Sequence, residues 1–233
     1  MSYRILRGEF GVIYPDRIIK TRRKTISLSI EKGGTIIVRA PSKMSDAQIN
    51  KFVSLKQNWL MSKLSEIKLN QNKFSSIINH SEYLLYGINH NVAIADVKRV
   101  EVNQRTILVP NKIEESRRQA ALIQFFKKQA KSVLSKRMAY IQSIIKLEPK
   151  KVKLTNSKGK WGSCNSHQTI ALNWRMIMIP PSCIDYIIIH ELCHLVEMNH
   201  SARFWKLVET FLPSYGEARE KLKEYSFLLE QYR

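Results

Sequence analysis

Alternation of apolar and polar residues with a period of two dominates the first part of the chain. "KTISLSI" and "GTIIVRA" flank "EKGG", which predicts a β-hairpin over residues 24–40. "YLLYGINHNVAIA" and "VEVNQRTILVP" repeat the pattern after Tyr83, with Gly87 and Asn103 as turn residues. Between these strands the period becomes helical. Ser45 and Gln48 form a capping-box start, and Ile49, Phe52, Val53, Trp59, Leu60 and Leu64 fall on one face of a helix expected to pack on the sheet. "LNQNKFSSIINHSE", residues 69–82, is polar enough to be a loop or linker.

From Glu114 to about Lys146 a long amphipathic helix is predicted. Leu122, Phe125, Phe126, Ala130, Val133, Met138, Ile141 and Ile145 form its apolar face, and Glu148-Pro149 ends it. Residues 150–181 read as two strands around an Asn165-Ser166 turn, closed by a double proline. Ser182, with Asp185 three residues on, signals the start of a further helix, "CIDYIIIHELCHLVE", apolar nearly all round and therefore buried. These elements predict an α+β protein: a β-rich N-terminal part with one helix over residues 1–112, and a helical part over residues 113–233 that together could form one contiguous domain.

Composition adds little to the fold but bears on location and partners. Hydrophobic residues at 44% and charged residues at 25% are those of a soluble globular protein. No signal peptide or membrane span is legible, and three cysteines without a C-x-x-C spacing suit a reduced compartment, so a cytoplasmic protein is expected. The net charge of +20 is unevenly spread. From Asp185 onward lie six of the 39 bases and eight of the 19 acids, leaving 33 bases against 11 acids, or +22, upstream. A polyanion such as nucleic acid is one expected partner of that surface, and a merely solvated lysine-rich face is the other reading.

The chemistry concentrates in "HELCHLVEMNHSARFW", residues 190–205. His190 and His194, at i and i+4, stand on one helical face, where two imidazoles can reach one ion. Burying such groups unpartnered would cost about 1–3 kcal/mol each, and a metal removes that cost. His200 is available as a third ligand if the chain turns back at Asn199, which tolerates a left-handed conformation, and Ser201 can then cap a new helix carrying Phe204, Trp205, Val208 and Phe211 into the core. Three ligands leave a position open for water. Glu191, beside a ligand but pointing elsewhere, could take a proton from that water, which is the chemistry of peptide or amide hydrolysis. A purely structural zinc and a catalytic one both remain open on spacing alone. Cys193 reads as a small buried hydrophobe, His167 as a turn residue, and His80 and His90 as solvated or core histidines.

"KWGSC", "LNWRMI" and "IIIHELCHLVEMNHSARFW" resemble the YgjP-like metallopeptidase family, zincin-type hydrolases related to the SprT-like proteases, most strongly over residues 151–215. The resemblance implies a zincin-like fold in the second part and one zinc ion held by His190, His194 and His200. It further implies that Glu191 is the catalytic base and that the substrate is a peptide or protein, with action on DNA-bound proteins as a variant. It also places an edge strand near residues 161–175, where Gly162, Ser163 and Asn173 are candidate substrate-binding residues. Glu197 stands where the metzincin pattern has glycine, and no methionine follows Met198, so metzincin substrate rules do not carry over. A downstream carboxylate, Glu209 or Glu217, is the alternative third ligand.

Overall fold

The computed structural model describes residues 12–31, 34–78 and 80–232. The reading of the first eleven residues and the tip of "EKGG" at positions 32 and 33 lie outside them. Contacts divide the chain into two units, residues 1–75 and 76–233.

In the first unit the expected hairpin is present. β2 (Ser27–Ile30) pairs antiparallel with β3 (Ile36–Pro41), and β1 (Arg17–Thr21) adds to the other edge of β3 in parallel. Ile36, Val38 and Ala40 present the buried face of β3. The capping box is formed as read: Gln48 N–H donates to the Ser45 hydroxyl at 3.3 Å, and Ser45 N–H donates to the Gln48 side chain at 3.0 Å. The single helix expected there is two, α1 (Asp46–Ser54) and α2 (Gln57–Lys73), broken at Leu55-Lys56. The break resets the helical phase. Ile49, Val53 and Leu60 enter the core while Trp59 stays 45% exposed. The stretch from residue 69 is helical rather than a linker, because α2 runs to Lys73 and α3 (Ser75–Ile78) follows, with Phe74 and Ile77 buried.

The second unit begins with β4 (Glu82–Leu85), β5 (Ile88–Ala95), β6 (Glu101–Asn103) and β7 (Thr106–Pro110), in the order β4-β5-β7-β6. The division by contacts thus falls at Ser75/Ser76, and β4 to β7 group with the elements that follow them. The physical reason is the docking of the β4–β5 turn: Tyr86 and Gly87 N–H donate to the carbonyls of Ile177 and Met178 at 2.8 and 2.9 Å. Gly87 has φ +78°, and a Cβ there would lie 2.7 Å from Pro180 Cγ, so only glycine closes this contact. In the following hairpin the left-handed residue is Gln104, with Asn103 ending its strand.

α4 (Glu115–Ile145) has the bounds the pattern foretold and ends on Lys146 in the left-handed conformation. Leu122, Phe126, Ala130, Leu134, Met138 and Ile141 are buried, while Phe125 and Val133 are only half-buried. Next come three strands rather than two. β8 (Lys151–Thr155) runs parallel to β10 (Thr169–Asn173), and β9 (Gly162–Cys164) pairs antiparallel with β10's other edge. A 3-10 turn over Trp174–Met178 leads to α5 (Pro181–Cys193), followed by α6 (Ala202–Phe211) and α7 (Tyr215–Glu224). The architecture is α+β, with small mixed sheets between helices. Among the described residues no helix is long and apolar enough to cross a membrane.

Candidate metal centre

α5 begins on prolines: Pro180 is the N-cap and Pro181 the first helical residue, where a missing N–H costs nothing. Ser182 is therefore not the cap that the sequence suggested. Asp185 instead accepts a bidentate ion pair from Arg137 of α4, Nε and Nη2 donating at 2.5 and 2.6 Å. The rest of α5 is almost wholly buried, including Ile187, Ile188, Leu192 and Cys193. Cys193 is inert by burial, its thiol pushed up to about 12.

His190 lies in the last turn of α5 and His194 is its C-cap residue. Beyond it the chain reverses through short turns, with Leu195 N–H bonded to Leu192 O, and Val196 and Glu197 N–H to Cys193 O. Asn199 is not left-handed as expected, because a tighter device completes the reversal: Ser201 N–H donates to Asn199 O at 2.8 Å, a three-residue turn centred on His200. Ser201 then caps α6, its hydroxyl accepting from Phe204 N–H at 3.3 Å.

This path brings the three imidazoles together. Nε2 of His190 and Nε2 of His200 are 3.1 Å apart, and the available ligand atoms of His190, His194 and His200 all lie within 4.8 Å of one another. Neither Glu209 nor Glu217 belongs to this group; both are exposed. His194 Nδ1 sits 2.9 Å from Glu197 O, so that the proton placed on Nδ1 donates to the carbonyl and Nε2 keeps its lone pair. Burial, then the neighbouring His194 and His200, push His190 down to about 3. His194 is also lowered, by burial first, against the raising effect of its bond to Glu197. Both rings are therefore neutral at pH 7. Facing imidazole nitrogens at this spacing need a shared proton or a shared cation, and ligands about 2.0–2.1 Å from a tetrahedral ion would stand roughly 3.3 Å apart. The residues fit a divalent metal.

Aromatic rings wall the cluster. Phe204 stacks on His194 at 4.4 Å between centroids, Trp205 on His200 at 5.6 Å, and Tyr215 on the far side of Trp205 at 5.6 Å. The sequence marked Phe204 and Trp205 as core residues; their position also lowers the dielectric around the ligands.

The Glu191 side chain lies against β9. A Cβ at Gly162 would lie 2.6 Å from Glu191 Oε1 and 2.7 Å from its Cγ, so the glycine leaves the space that the carboxylate fills. Burial pushes Glu191 up to about 7, and the charge of Lys160 pulls it partly back. Cys164 shares the face of β9 that carries Gly162, while Ser163 alternates to the other face. Asn173 is fully buried with its side chain fully engaged: Nδ2 donates to Ser157 O at 2.7 Å and Lys160 O at 3.0 Å, and Oδ1 accepts from Arg175 N–H at 3.1 Å. It holds a loop and has no surface to offer a substrate. The sequence missed the Glu191–Gly162 contact and the loop function of Asn173, since both join residues far apart in the chain. His80 and His90 lie away from the site, His80 among Tyr83 and Tyr232, and His90 with Nδ1 at Ile88 O.

Three converging imidazoles beside a buried carboxylate, at the end of a core helix and the turn that follows it, define a metal-dependent hydrolase type of centre. A family model described as YgjP-like, metallopeptidase domain, matches residues 24–225, and the chain belongs to that family. It therefore carries a metallopeptidase domain. Among solved structures, the metallopeptidase zymogen abylysin of Pyrococcus abyssi is similar over 38% of this chain and 90% of its own, at 23% identity and a TM-score of 0.35. No curated protein matches the chain.

Proposed function

We propose that the chain is a zinc-dependent peptidase in which His190, His194 and His200 hold one ion and Glu191 is the general base. The observation that carries this reading is the meeting of three imidazoles, two from the end of a buried helix and His200 from the turn after it, with ligand atoms within 4.8 Å of one another beside the buried Glu191. Neutral imidazole sets suit zinc among the common divalent ions. When bound, zinc supplies a Lewis acid for a peptide carbonyl and acidifies a water molecule towards neutrality. Glu191 accepts the proton of the attacking water at a carboxylate oxygen and returns it to the nitrogen of the breaking C–N bond. Gly162 keeps that carboxylate in place, and the outer edge of β9, last in the order β8-β10-β9, is suited to pairing with an extended peptide backbone.

The test is metal analysis combined with turnover. The wild type is expected to hold one zinc per chain and to cleave a denatured protein substrate. Glu191→Gln should keep the zinc and lose roughly 10²–10⁴ in rate. His200→Ala should lose metal; full zinc content in that variant would move the third ligand elsewhere.

A second reading concerns a partner rather than the reaction, and α4 favours it. Between residues 116 and 147 there is no acid, while Arg117, Arg118, Lys127, Lys128, Lys131, Lys136, Arg137 and Lys146 supply eight bases. Arg137 among them is engaged by Asp185 of α5, and the exposed Lys127, Lys128, Lys131 and Lys136 are suited to a nucleic-acid backbone.

A further inference from the structure

Residues 156–161 connect β8 to β9, and three consecutive buried residues hold them. Trp174 Nε1 donates to Asn156 Oδ1 at 2.9 Å, and Arg175 Nη1 donates to the same oxygen at 2.6 Å. Asn173 Nδ2 bonds the carbonyls of Ser157 and Lys160, and Asn173 N–H bonds Trp161 O at 2.8 Å. Asn173 is 0% exposed, and Trp174 and Arg175 are each 2% exposed. Buried polar groups are costly unless paired, and here three neighbours direct their donors to one surface loop. Loops at a surface are ordinarily the mobile part of a fold. This one is braced from below.

The side chains the bracing leaves free are basic. The side chains of Lys158 and Lys160 are exposed and make no hydrogen bond or ion pair among the described residues, and Gly159 between them leaves open space where a side chain would stand. A third base, Lys127 of α4, places its ammonium 5.8 Å from the ring of Trp174, which itself holds Asn156. Lys160 stands two residues before Gly162, whose missing side chain accommodates Glu191. The loop thus sits at the end of the strand along which a peptide is proposed to lie.

We infer that the Ser157–Lys160 loop is a preformed cationic subsite, in which Lys158 and Lys160 bind a carboxylate of the substrate beside the scissile bond. A fixed backbone removes much of the ordering cost that a flexible loop would meet on binding, so two lysines here bind an anion better than the same lysines on a loose loop. Asn173 is the positioning residue of this subsite and does not touch the substrate. The carboxylate has two sources, an acidic side chain or the free C-terminus of a peptide. The inference rests on the peptidase reading only for the nature of the ligand.

The experiment measures binding to full-length Glu191→Gln protein by fluorescence anisotropy. The probes are labelled ten-residue peptides in which a single Glu or Gln is scanned through the sequence, each with a free or an amidated C-terminus. At one or two positions the Glu peptide is expected to bind about tenfold tighter than its Gln counterpart, the size of a charge-assisted contact. Lys158→Glu with Lys160→Glu should abolish or reverse that difference and leave the Gln peptide unchanged. A preference that follows the free C-terminus and not the scanned Glu assigns the carboxylate to the chain end. Equal binding of all the peptides, Glu or Gln and free or amidated alike, or a preference that survives the double charge reversal, overturns the subsite. Turnover by the wild type is read separately: its absence beside a lysine-dependent preference would overturn the peptidase reading and leave the subsite standing.

Discussion

Gly162 shows how much of the site a single missing methyl group controls. The Cβ of an alanine there would meet Glu191 Oε1 at 2.6 Å and its Cδ at 2.9 Å, closer than such atoms approach, so the carboxylate must move. Gly162→Ala is expected to keep zinc content and melting temperature near the wild type while lowering kcat/KM by about 10²-fold or more, because a displaced base transfers protons poorly. Metal analysis, thermal unfolding and turnover on one preparation check it, and unaltered turnover would show that Glu191 has no need of the present position. The nearness of His190 and His194 was legible in the sequence because helical spacing is local: i and i+4 meet whatever the rest of the chain does. The seat of Glu191 was not, since nothing near Gly162 in the sequence says that a helix 29 positions on lies against it. Asn199 gave a further lesson of the same kind. A residue suited to a left-handed turn was present, and the chain reversed through stacked tight turns and His200 instead.

At the level of elements, the position of the metal helix depends on α4. Arg137 and Asp185 join the two helices through two parallel N–H···O bonds, the geometry in which a guanidinium pairs best with a carboxylate. Both side chains are partly solvent-accessible, Arg137 at 41%, so the pair is worth less than a buried one would be. A double-mutant cycle with Arg137→Ala and Asp185→Ala is expected to give a coupling energy of about 1 kcal/mol in thermal or urea unfolding. Zero coupling would mean that apolar packing alone registers α5 on α4. The helix bounds of α4 could be read from periodicity, down to its end at Lys146, because a 31-residue pattern averages over local noise. The α1–α2 break could not, since Leu55-Lys56 contains no glycine or proline to announce it. β8 was not separated from β9 for a different reason: Lys151, Val152, Lys153 and Leu154 alternate as a strand should, and the break after them, residues 156–161, is held by Asn173, Trp174 and Arg175 far along the chain.

Over the whole molecule, charge and reaction chemistry lie in different stretches. The +22 of residues 1–184 contrasts with a slight acidic excess from Asp185 onward, where the histidines are. The structure localises part of that charge on the solvent face of α4, where Lys127, Lys128, Lys131 and Lys136 are exposed and form no ion pair among the described residues. Ser132 and Ser135 lie between Lys131 and Lys136, small residues that let a phosphate backbone approach. If this face serves nucleic acid, duplex DNA should bind with an affinity that falls steeply with salt, and reversing these four lysines to glutamate should flatten the slope of log K against log[salt] by roughly 3–4, about 0.9 for each phosphate no longer neutralised. All four side chains are exposed, so folding and zinc content should hold; Lys127 alone also stands 5.8 Å from the ring of Trp174, and its reversal removes that contact. Glu191→Gln should bind DNA as the wild type does, because the face and the metal centre use different side chains. Absence of binding at low salt, or a slope indifferent to the four reversals, would make the lysines a solvated surface, and the carboxylate preference at Lys158 and Lys160 would then be the remaining use of the chain's positive charge.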